Sequence, residues 1–301
     1  MRKLIALCVV LFICANVHAQ DDSTDINKLL EDEMKSMDKD QTEYVRATFK
    51  TTRLINGHST ENVGRRVLDV KISHRFGALN SGAYELFGLD NATMRMGVDY
   101  GVTDNFMIGL GRSTFEKTYD AFFKWRILRQ STGKKSMPIT LSYVPTIALK
   151  TLKFDTSRKN YFSSRLFYTH QLIIGRKFSE KFSLQLMPTY VHRNLAATVF
   201  DPNDIIALGI GGRQKLTKRL SFNFEYFYLL PEHKLPNTTD CLSLGFDIET
   251  GGHVFQLHFT NSRGMNERTF ISETTGRWDK GDVLFGFNIS RVFTIGGGKE
   301  K

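Results

Sequence analysis

The sequence predicts an all-β fold, a transmembrane antiparallel β-barrel, and three observations lead to this prediction. Apolar and polar residues alternate along a series of segments of about ten residues, the length that a tilted strand needs to cross a bilayer. Short turns and longer loops alternate between these segments, as they do in outer-membrane barrels. The chain also begins with the features of a secretory signal peptide. We therefore expect an exported protein that crosses the outer membrane with strands.

Residues 1–19 are predicted to be the signal peptide. Arg2 and Lys3 provide its positive start, an apolar run follows, and small residues precede the expected cleavage site before Gln20. The apolar run is too short for a transmembrane helix. In an alternative interpretation Cys14 would carry a lipid, but the residue before it is larger than a lipoprotein signal usually has.

Residues 20–43 form a separate acidic segment, which we place in the periplasm. It contains nine acidic residues and three lysines, so its net charge is −6. Its apolar spacing allows a short amphipathic helix, although we favour a solvated tether. The chain from Tyr44 to Lys301 then carries a net charge of +14. Export argues against a nucleic-acid partner for this charge, and basic loops beside anionic lipid headgroups explain it.

The clearest predicted strands form a hairpin at residues 205–230. On its second strand one face carries Leu220, Phe222, Phe224, Tyr226, Tyr228 and Leu230, and the other carries Ser221, Asn223 and Glu225. This is the apolar-out, polar-in pattern of a membrane barrel. Along the chain we count twelve such strands, near residues 68–72, 93–100, 106–111, 119–127, 139–150, 162–178, 182–190, 206–211, 220–230, 242–249, 255–259 and 283–293.

The strand count sets the predicted boundaries. An even count from residue 67 to residue 293 starts and ends the barrel on the periplasmic side, where the short turns lie. We therefore predict that residues 44–66 form a pre-barrel or plug-like segment and that residues 294–301 form a tail. Fourteen strands are the alternative count. A secreted β-sandwich is the soluble alternative, but it gives no reason for turns and loops to alternate in length.

Four stretches of the sequence carry a resemblance to a known family. They are TFKTTRLINGHSTE at residues 48–61, ISHRFG at 72–77, MGVDYGVTDNFMIGLGRS at 96–113 and YDAFFKWRIL at 119–128. With them the chain resembles a family of Bacteroidota β-barrel proteins classified as domain of unknown function 5777, over about residues 44–293. The resemblance implies a barrel in the outer membrane, and it brings no catalytic residues with it.

The residues that could carry chemistry do not form a recognisable site in the sequence. His253 and His258 would face opposite sides of a strand and could not share a metal ion. The acidic cluster at residues 201–204 fits an ordinary turn better than a calcium site. We therefore predict no cofactor, no metal site and no enzymatic activity.

Charged residues on the polar faces are the candidate functional residues, because a barrel turns these faces toward its lumen. They are Arg95, Asp99, Asp120, Lys124, Arg126, Glu225, Asp247 and Glu249. In one interpretation they line an open pore and set its ion selectivity. In the other they pair across strands and close the lumen. The sequence leaves this choice open.

Three function hypotheses follow from the sequence. The first is a passive channel or small-solute transport pore in the outer membrane. The second is a non-conducting barrel that acts as a scaffold for a periplasmic partner of the acidic segment. A barrel enzyme is the third and least favoured. In each case the expected partners are outer-membrane lipid and the machinery that inserts barrels into this membrane.

Overall fold

The computed structural model describes residues 41–153, 159–251 and 253–295. Twelve antiparallel strands of this part form a closed barrel, which confirms the predicted class and the count of twelve rather than fourteen. The strands are β1 Val67–Ala78, β2 Ala92–Thr103, β3 Phe106–Ser113, β4 Thr118–Leu128, β5 Thr140–Lys150, β6 Leu166–Lys177, β7 Phe182–Arg193, β8 Asp204–Lys215, β9 Leu220–Leu229, β10 Cys241–Thr250, β11 His253–Thr260 and β12 Leu284–Thr294.

Each strand pairs with the next strand in the sequence, and β12 closes the barrel by pairing with β1. In this last pair Thr294 lies opposite Val67 and Leu284 lies opposite Ala78. Two strands of three residues, Thr42–Tyr44 and Ser131–Gly133, pair in a separate two-stranded sheet. No helix in the described ranges is long and apolar enough to cross a membrane.

The barrel wall is apolar outside and largely polar inside. Along β9, Ser221, Asn223 and Glu225 are fully buried in the interior, whereas Tyr228 is exposed on the outer face. The outer face also exposes apolar side chains such as Trp125 on β4. This is the reverse of a soluble protein, and it suits a wall that contacts lipid on its outer side.

The two ends of the barrel differ in their connections. At the end where β1 starts, which we call the turn end, the connections are short except for residues 129–139. At the opposite end, the loop end, they are longer except for residues 114–117. The loop end carries one α-helix, α1 (Glu267–Ser272), and all six 3₁₀ turns of the described residues, which are Leu79–Ser81, Ala83–Gly88, Phe115–Lys117, Ser163–Arg165, Pro231–His233 and Trp278–Lys280.

Two segments fill the interior of the barrel. Residues 47–63, which we call the plug, precede β1 and fold back inside the wall as a narrow hairpin. The amide of Leu54 bonds to the carbonyl of Gly57 (2.8 Å), and the amide of Ser59 bonds to the carbonyl of Thr52 (3.0 Å). From the loop end, residues 261–275 with α1 form a second insert, the loop insertion, in which all six helical residues are buried.

Several sequence predictions lie outside the described residues. The signal peptide (1–19) and almost all of the acidic segment (20–43) belong to this group, as does most of the tail (294–301). These assignments stay predictions.

Candidate functional site in the occupied lumen

The structure places the predicted lumen residues on the inner face of the wall. Seven of the eight are buried, namely Arg95, Asp99, Asp120, Lys124, Arg126, Glu225 and Asp247. The eighth, Glu249, lies near the turn end with its side chain 39% exposed, where it pairs with Lys50 of the plug. The seven buried residues therefore contact one another, the plug or other wall residues rather than open water.

Some of the lumen charges pair directly across neighbouring strands. The Nε group of Arg95 donates to Oδ1 of Asp120 at 2.9 Å, and a second guanidinium nitrogen bonds to the same carboxylate. Lys71 lies between Asp69 (3.3 Å) and Asp99, to which it also donates. Both groups are buried; Arg95 and Asp120 balance each other's charge, whereas Lys71 and its two carboxylates keep one net negative charge.

The carboxylate of Glu225 binds the tip of the plug. It accepts hydrogen bonds from the backbone amides of Ile55 (3.2 Å), Asn56 (2.8 Å) and Gly57 (3.1 Å). Consecutive backbone N–H groups that converge in this way form an anion-binding nest. At Gly57 an added Cβ would lie 3.1 Å from the ring of Phe227, so the tip fits closely against β9.

Lys124 binds the two arms of the plug hairpin. Its ammonium group donates to the backbone carbonyls of Thr52 (3.0 Å), Ser59 (3.0 Å) and Glu61 (2.7 Å). These three bonds use all three N–H donors of the side chain. Since no carboxylate pairs with it in the described residues, Lys124 meets its hydrogen-bonding needs through the plug backbone alone.

Two arginines of the wall act in the same way. Arg126 donates to the carbonyl of Thr60 at 3.1 Å. Arg213 donates to the carbonyls of Ala47 (3.1 Å) and Thr48 (3.3 Å).

Amide side chains of the wall complete the contact with the plug. The bonds run from Gln185 to the carbonyl of His58 (2.8 Å), from Gln256 to that of Leu54 (2.7 Å) and from Asn288 to that of Ile55 (3.0 Å). The sequence analysis did not single out these three residues, nor Asp69, Lys71, Arg75 and Arg213. All of them lie on inner faces, so the strand alternation carried the signal, but the search for candidates was limited to a subset of the charged residues.

The plug and the loop insertion meet inside the barrel. Arg53 of the plug donates to Glu267 of α1 at 2.7 Å, and the same carboxylate oxygen lies 3.2 Å from Nε2 of His58. The ring of Phe270 packs edge-to-face on Phe227 with centroids 5.2 Å apart. Two inserts from opposite ends thus share a buried ionic contact.

The loop insertion is fastened to the barrel by ion pairs at the loop end. Arg268 bonds to Glu273 and to Glu116 (2.6 Å each), and it lies 4.0 Å above the ring of Phe167. Burial opposes ionisation of Glu116, but the charges of Arg268 and Lys150 outweigh it, so the pKa of Glu116 is lowered. This carboxylate is ionised at neutral pH.

Phe122, Ile173, Met187 and Phe227 of the wall form an apolar cluster with Phe270 of α1. This cluster also reaches the plug, since the ring of His58 packs on Phe122 with centroids 4.4 Å apart. Near the turn end a cavity of about 410 Å³ remains between the plug and the wall, bordered by Phe49, Glu61, Asp69 and Ser290. The lumen is therefore filled by apolar packing around α1 and by polar contacts around the plug, with free space at its turn end.

The inward-facing groups described above hold a segment of chain. Within the described ranges no three His, Cys, Asp or Glu side chains are placed to hold a metal ion. His258 faces the interior, whereas His253 lies on the opposite face of the same strand. Cys241 is buried and free.

Comparison with known proteins identifies a family and a set of similar folds. The family model described as "Membrane bound beta barrel domain (DUF5777)" matches residues 49–293. Among solved structures, the NanC porin is 8% identical with a TM-score of 0.48, covering 75% of this chain and 98% of its own. The KdgM porin is 9% identical with a TM-score of 0.44, covering 75% and 99%.

The outer-membrane protein Omp33 of Acinetobacter baumannii is also similar, at 9% identity and a TM-score of 0.40, covering 75% of this chain and 97% of its own. No curated protein sequence matches this chain.

Proposed function

The chain belongs to the family of membrane-bound β-barrel domains, and from that premise we propose that it is an outer-membrane transport barrel whose pore is closed here by the plug. The predicted signal peptide and the apolar outer face support the outer membrane as its location. The proposal assigns no catalytic activity to the chain.

One observation carries this proposal, namely that the plug is held by a polar wall through hydrogen bonds and ion pairs. Lys124, Glu225 and Arg213 all bind plug backbone. Such bonds contribute only about 0.5–1.5 kcal/mol each, or roughly 1.5–3 when a charge takes part, because water replaces the lost partner when they break. A polar wall is also the lining that a water-filled pore needs. The plug is therefore suited to leave and the wall is suited to be wetted.

The loop insertion adds a second closure in series. Because α1 packs on apolar wall residues such as Met187 and Phe227, it blocks its part of the lumen even if the plug is absent. Opening therefore requires both inserts to move. Arg53 and Glu267 link these two movements, since separating them leaves two buried charges without partners.

The alternative function is a non-conducting scaffold for a periplasmic partner of residues 20–43. The close fit of both inserts favours it, because the filled lumen then serves as the core of a rigid barrel. Deleting residues 21–43 tests this idea: the scaffold requires that a bound partner be lost in pull-downs while the barrel still folds.

Single-channel recording in a planar bilayer tests the transport proposal. We compare the mature chain from Gln20 with a plug deletion (residues 47–63) and a double deletion that also removes residues 264–275. We expect the intact chain to be silent for most of the recording and the double deletion to give steady conductance steps. The plug deletion should conduct less than the double deletion. A double-deletion barrel that is folded and heat-modifiable but never conducts would support the scaffold instead.

A reversible disulfide between the plug and the wall provides the matched control on the mature chain, in which both inserts are intact. A Cβ placed on Gly175 would lie 3.6 Å from the Cβ of Thr60, within the range of disulfides. Thr60→Cys with Gly175→Cys, in a Cys241→Ala background, should therefore join the plug to β6. Oxidation should abolish any openings of the intact chain, and reduction should restore them. Openings that persist in the oxidised form would show that ions pass without movement of the plug.

A further inference from the structure

We propose that the open lumen takes anionic, oxygen-rich solutes such as sugar acids. This inference rests on the proposed function, because it names the solutes for which the wall is built once the inserts have moved. It is drawn from the chemistry by which the wall holds the plug.

Four cations of the wall have no carboxylate partner among the described residues. They are Arg75, Lys124, Arg126 and Arg213, and each donates to an oxygen atom of the plug. Three of them bind backbone carbonyls, and Arg75 binds Oδ1 of Asn56 at 2.7 Å. A guanidinium or ammonium group bonds more strongly to a carboxylate than to a neutral carbonyl, because the opposite charge adds Coulomb attraction and a carboxylate can accept two parallel bonds from a guanidinium. In the closed state these cations are therefore bonded to neutral oxygen acceptors, which bind them less strongly than carboxylates would.

The acidic residues of the wall are mostly satisfied without the plug. Asp69 and Asp99 share Lys71, and Asp120 is paired with Arg95. Asp247 accepts a bond from the side chain of Gln256 at 2.8 Å.

Three acidic residues of the wall lose a partner when the plug leaves. Glu225 loses the amides of the plug tip, Glu249 loses Lys50, and Asp99 loses the hydroxyl of Thr52 but keeps Lys71. The four unpaired cations then equal in number the negative charges that no cation neutralises, which are those of Glu225, Asp247 and Glu249 and the one left where Asp69 and Asp99 share Lys71. The expected preference for anions therefore rests on where the cations donate, into the space that the plug oxygens leave, and not on an excess of positive charge.

The same wall presents many hydrogen-bond donors to one occupant. Besides the four cations, the amide groups of Gln185, Gln256 and Asn288 each donate to a plug carbonyl. An extended solute with closely spaced carboxylate and hydroxyl oxygens offers acceptors like those of the plug backbone. An apolar solute or a simple cation offers none of them. The plug therefore stands in for the class of solute that the wall recognises.

Ion selectivity of the double-deletion barrel, measured as the reversal potential in a KCl gradient, tests the inference. We expect the reversal potential to lie toward the equilibrium potential of chloride. Lys124→Glu with Arg126→Glu in the same barrel should move the reversal potential toward the equilibrium potential of potassium. Arg277→Gln, which removes an exposed loop cation paired with Asp279, is the control and should leave the potential unchanged. In liposomes, glucuronate should enter faster than glucose through the unsubstituted barrel, and the double glutamate variant should lose this preference.

The outcomes separate this inference from the proposed function. A barrel that conducts but prefers potassium, or that admits both sugars equally, overturns the inference and leaves the transport function standing. A folded barrel that does not conduct overturns both. If the double deletion does not fold, the same measurements apply to Glu225→Gln with Glu267→Gln, which keeps the full chain and weakens both inserts.

Discussion

Glu225 is the residue at which the closed state is most sensitive to a single substitution. It is fully buried and neutralised by no cation, and three plug amides hold its charge. Glu225→Gln replaces one acceptor oxygen by an NH₂ group that faces backbone donors. Leaving a buried backbone donor without an acceptor costs about 1–3 kcal/mol. We expect the plug tip to detach, which should appear as faster amide hydrogen exchange at residues 55–57.

Tyr228→Phe on the same strand is the control for this prediction, because its side chain is exposed on the outer face. That variant should leave exchange at the plug tip unchanged. Equal exchange in Glu225→Gln and the parent chain would mean that the carboxylate does not hold the tip.

At the residue scale, the sequence showed which side chains face inward but not what they bind. The alternation along β9 places Glu225 in the lumen, and the alternation along β4 places Lys124 there as well. Their partners come from the plug, and Asn56 lies 169 residues away from Glu225 in the chain. Periodicity along one strand carries no information about a segment that enters the barrel from elsewhere. The plug was predicted only as one possibility for residues 44–66.

Among the elements, the plug and the loop insertion are energetically coupled through Arg53 and Glu267. The side chain of Glu267 is fully buried and that of Arg53 is 7% exposed. Glu267→Gln alone should lower the free energy of unfolding by about 3 kcal/mol, because it leaves the guanidinium buried without a charge partner. Arg53→Met in the Glu267→Gln background should then cost much less than in the parent chain.

A double-mutant cycle on these two sites, measured by denaturant unfolding in detergent, tests the coupling. Arg277→Gln combined with Glu267→Gln is the control, because the loop cation is exposed and pairs with Asp279 rather than with Glu267. That pair should be additive. Additive effects of the Arg53 and Glu267 substitutions would show that the two inserts move independently.

The ion pairs that fasten the loop insertion make its attachment dependent on pH. The pKa of Glu116 is lowered from its ordinary value of 4.5, because Arg268 and Lys150 outweigh the effect of burial. The resulting stabilisation is complete above pH 4.5 and is lost as the pH falls through the lowered pKa. The protection factor of the α1 amides, which compares their exchange rate with the intrinsic rate at the same pH, should therefore be high at pH 7 and should fall below about pH 4.5.

Glu116→Gln removes the titrating group and supplies the comparison. In this variant exchange of α1 should already be faster at pH 7, and its dependence on pH should be weaker. A variant that keeps the full pH dependence of the parent chain would place the sensitive group elsewhere.

The elements themselves were predicted more reliably than the inserts. Strand alternation gave all twelve barrel strands, although β6 begins at Leu166 and not near Phe162, because Ser163–Arg165 forms a 3₁₀ turn. The sequence analysis predicted no element between the strands near 255–259 and 283–293 and so missed α1. A local signal existed, since the side chain of Asn266 accepts from the amide of Thr269 and caps the helix. A six-residue helix is too short for periodicity to reveal.

For the whole molecule, the structure implies that closure of the barrel does not require either insert. Every barrel strand is hydrogen-bonded to two neighbours, and the closing pair of β12 with β1 runs from Leu284 to Thr294. Because those bonds lie within the wall, removing the plug leaves the ladder intact. It does expose inward-facing charges such as Lys124 and Glu225 to water, where they no longer need buried partners.

We therefore expect an order of stability in which the intact chain is highest, the plug deletion is lower and the double deletion is lowest. The second step should be the larger one per residue removed, because losing α1 exposes apolar wall residues such as Ile173 and Met187 to water, at about 25 cal/mol per Å². Thermal melts of the three proteins in detergent, together with their gel mobility before and after heating, measure this order. If the plug deletion alone prevents folding, the plug is a structural core rather than a removable gate. If all three proteins fold, the barrel wall is a complete structure into which two movable segments have been placed.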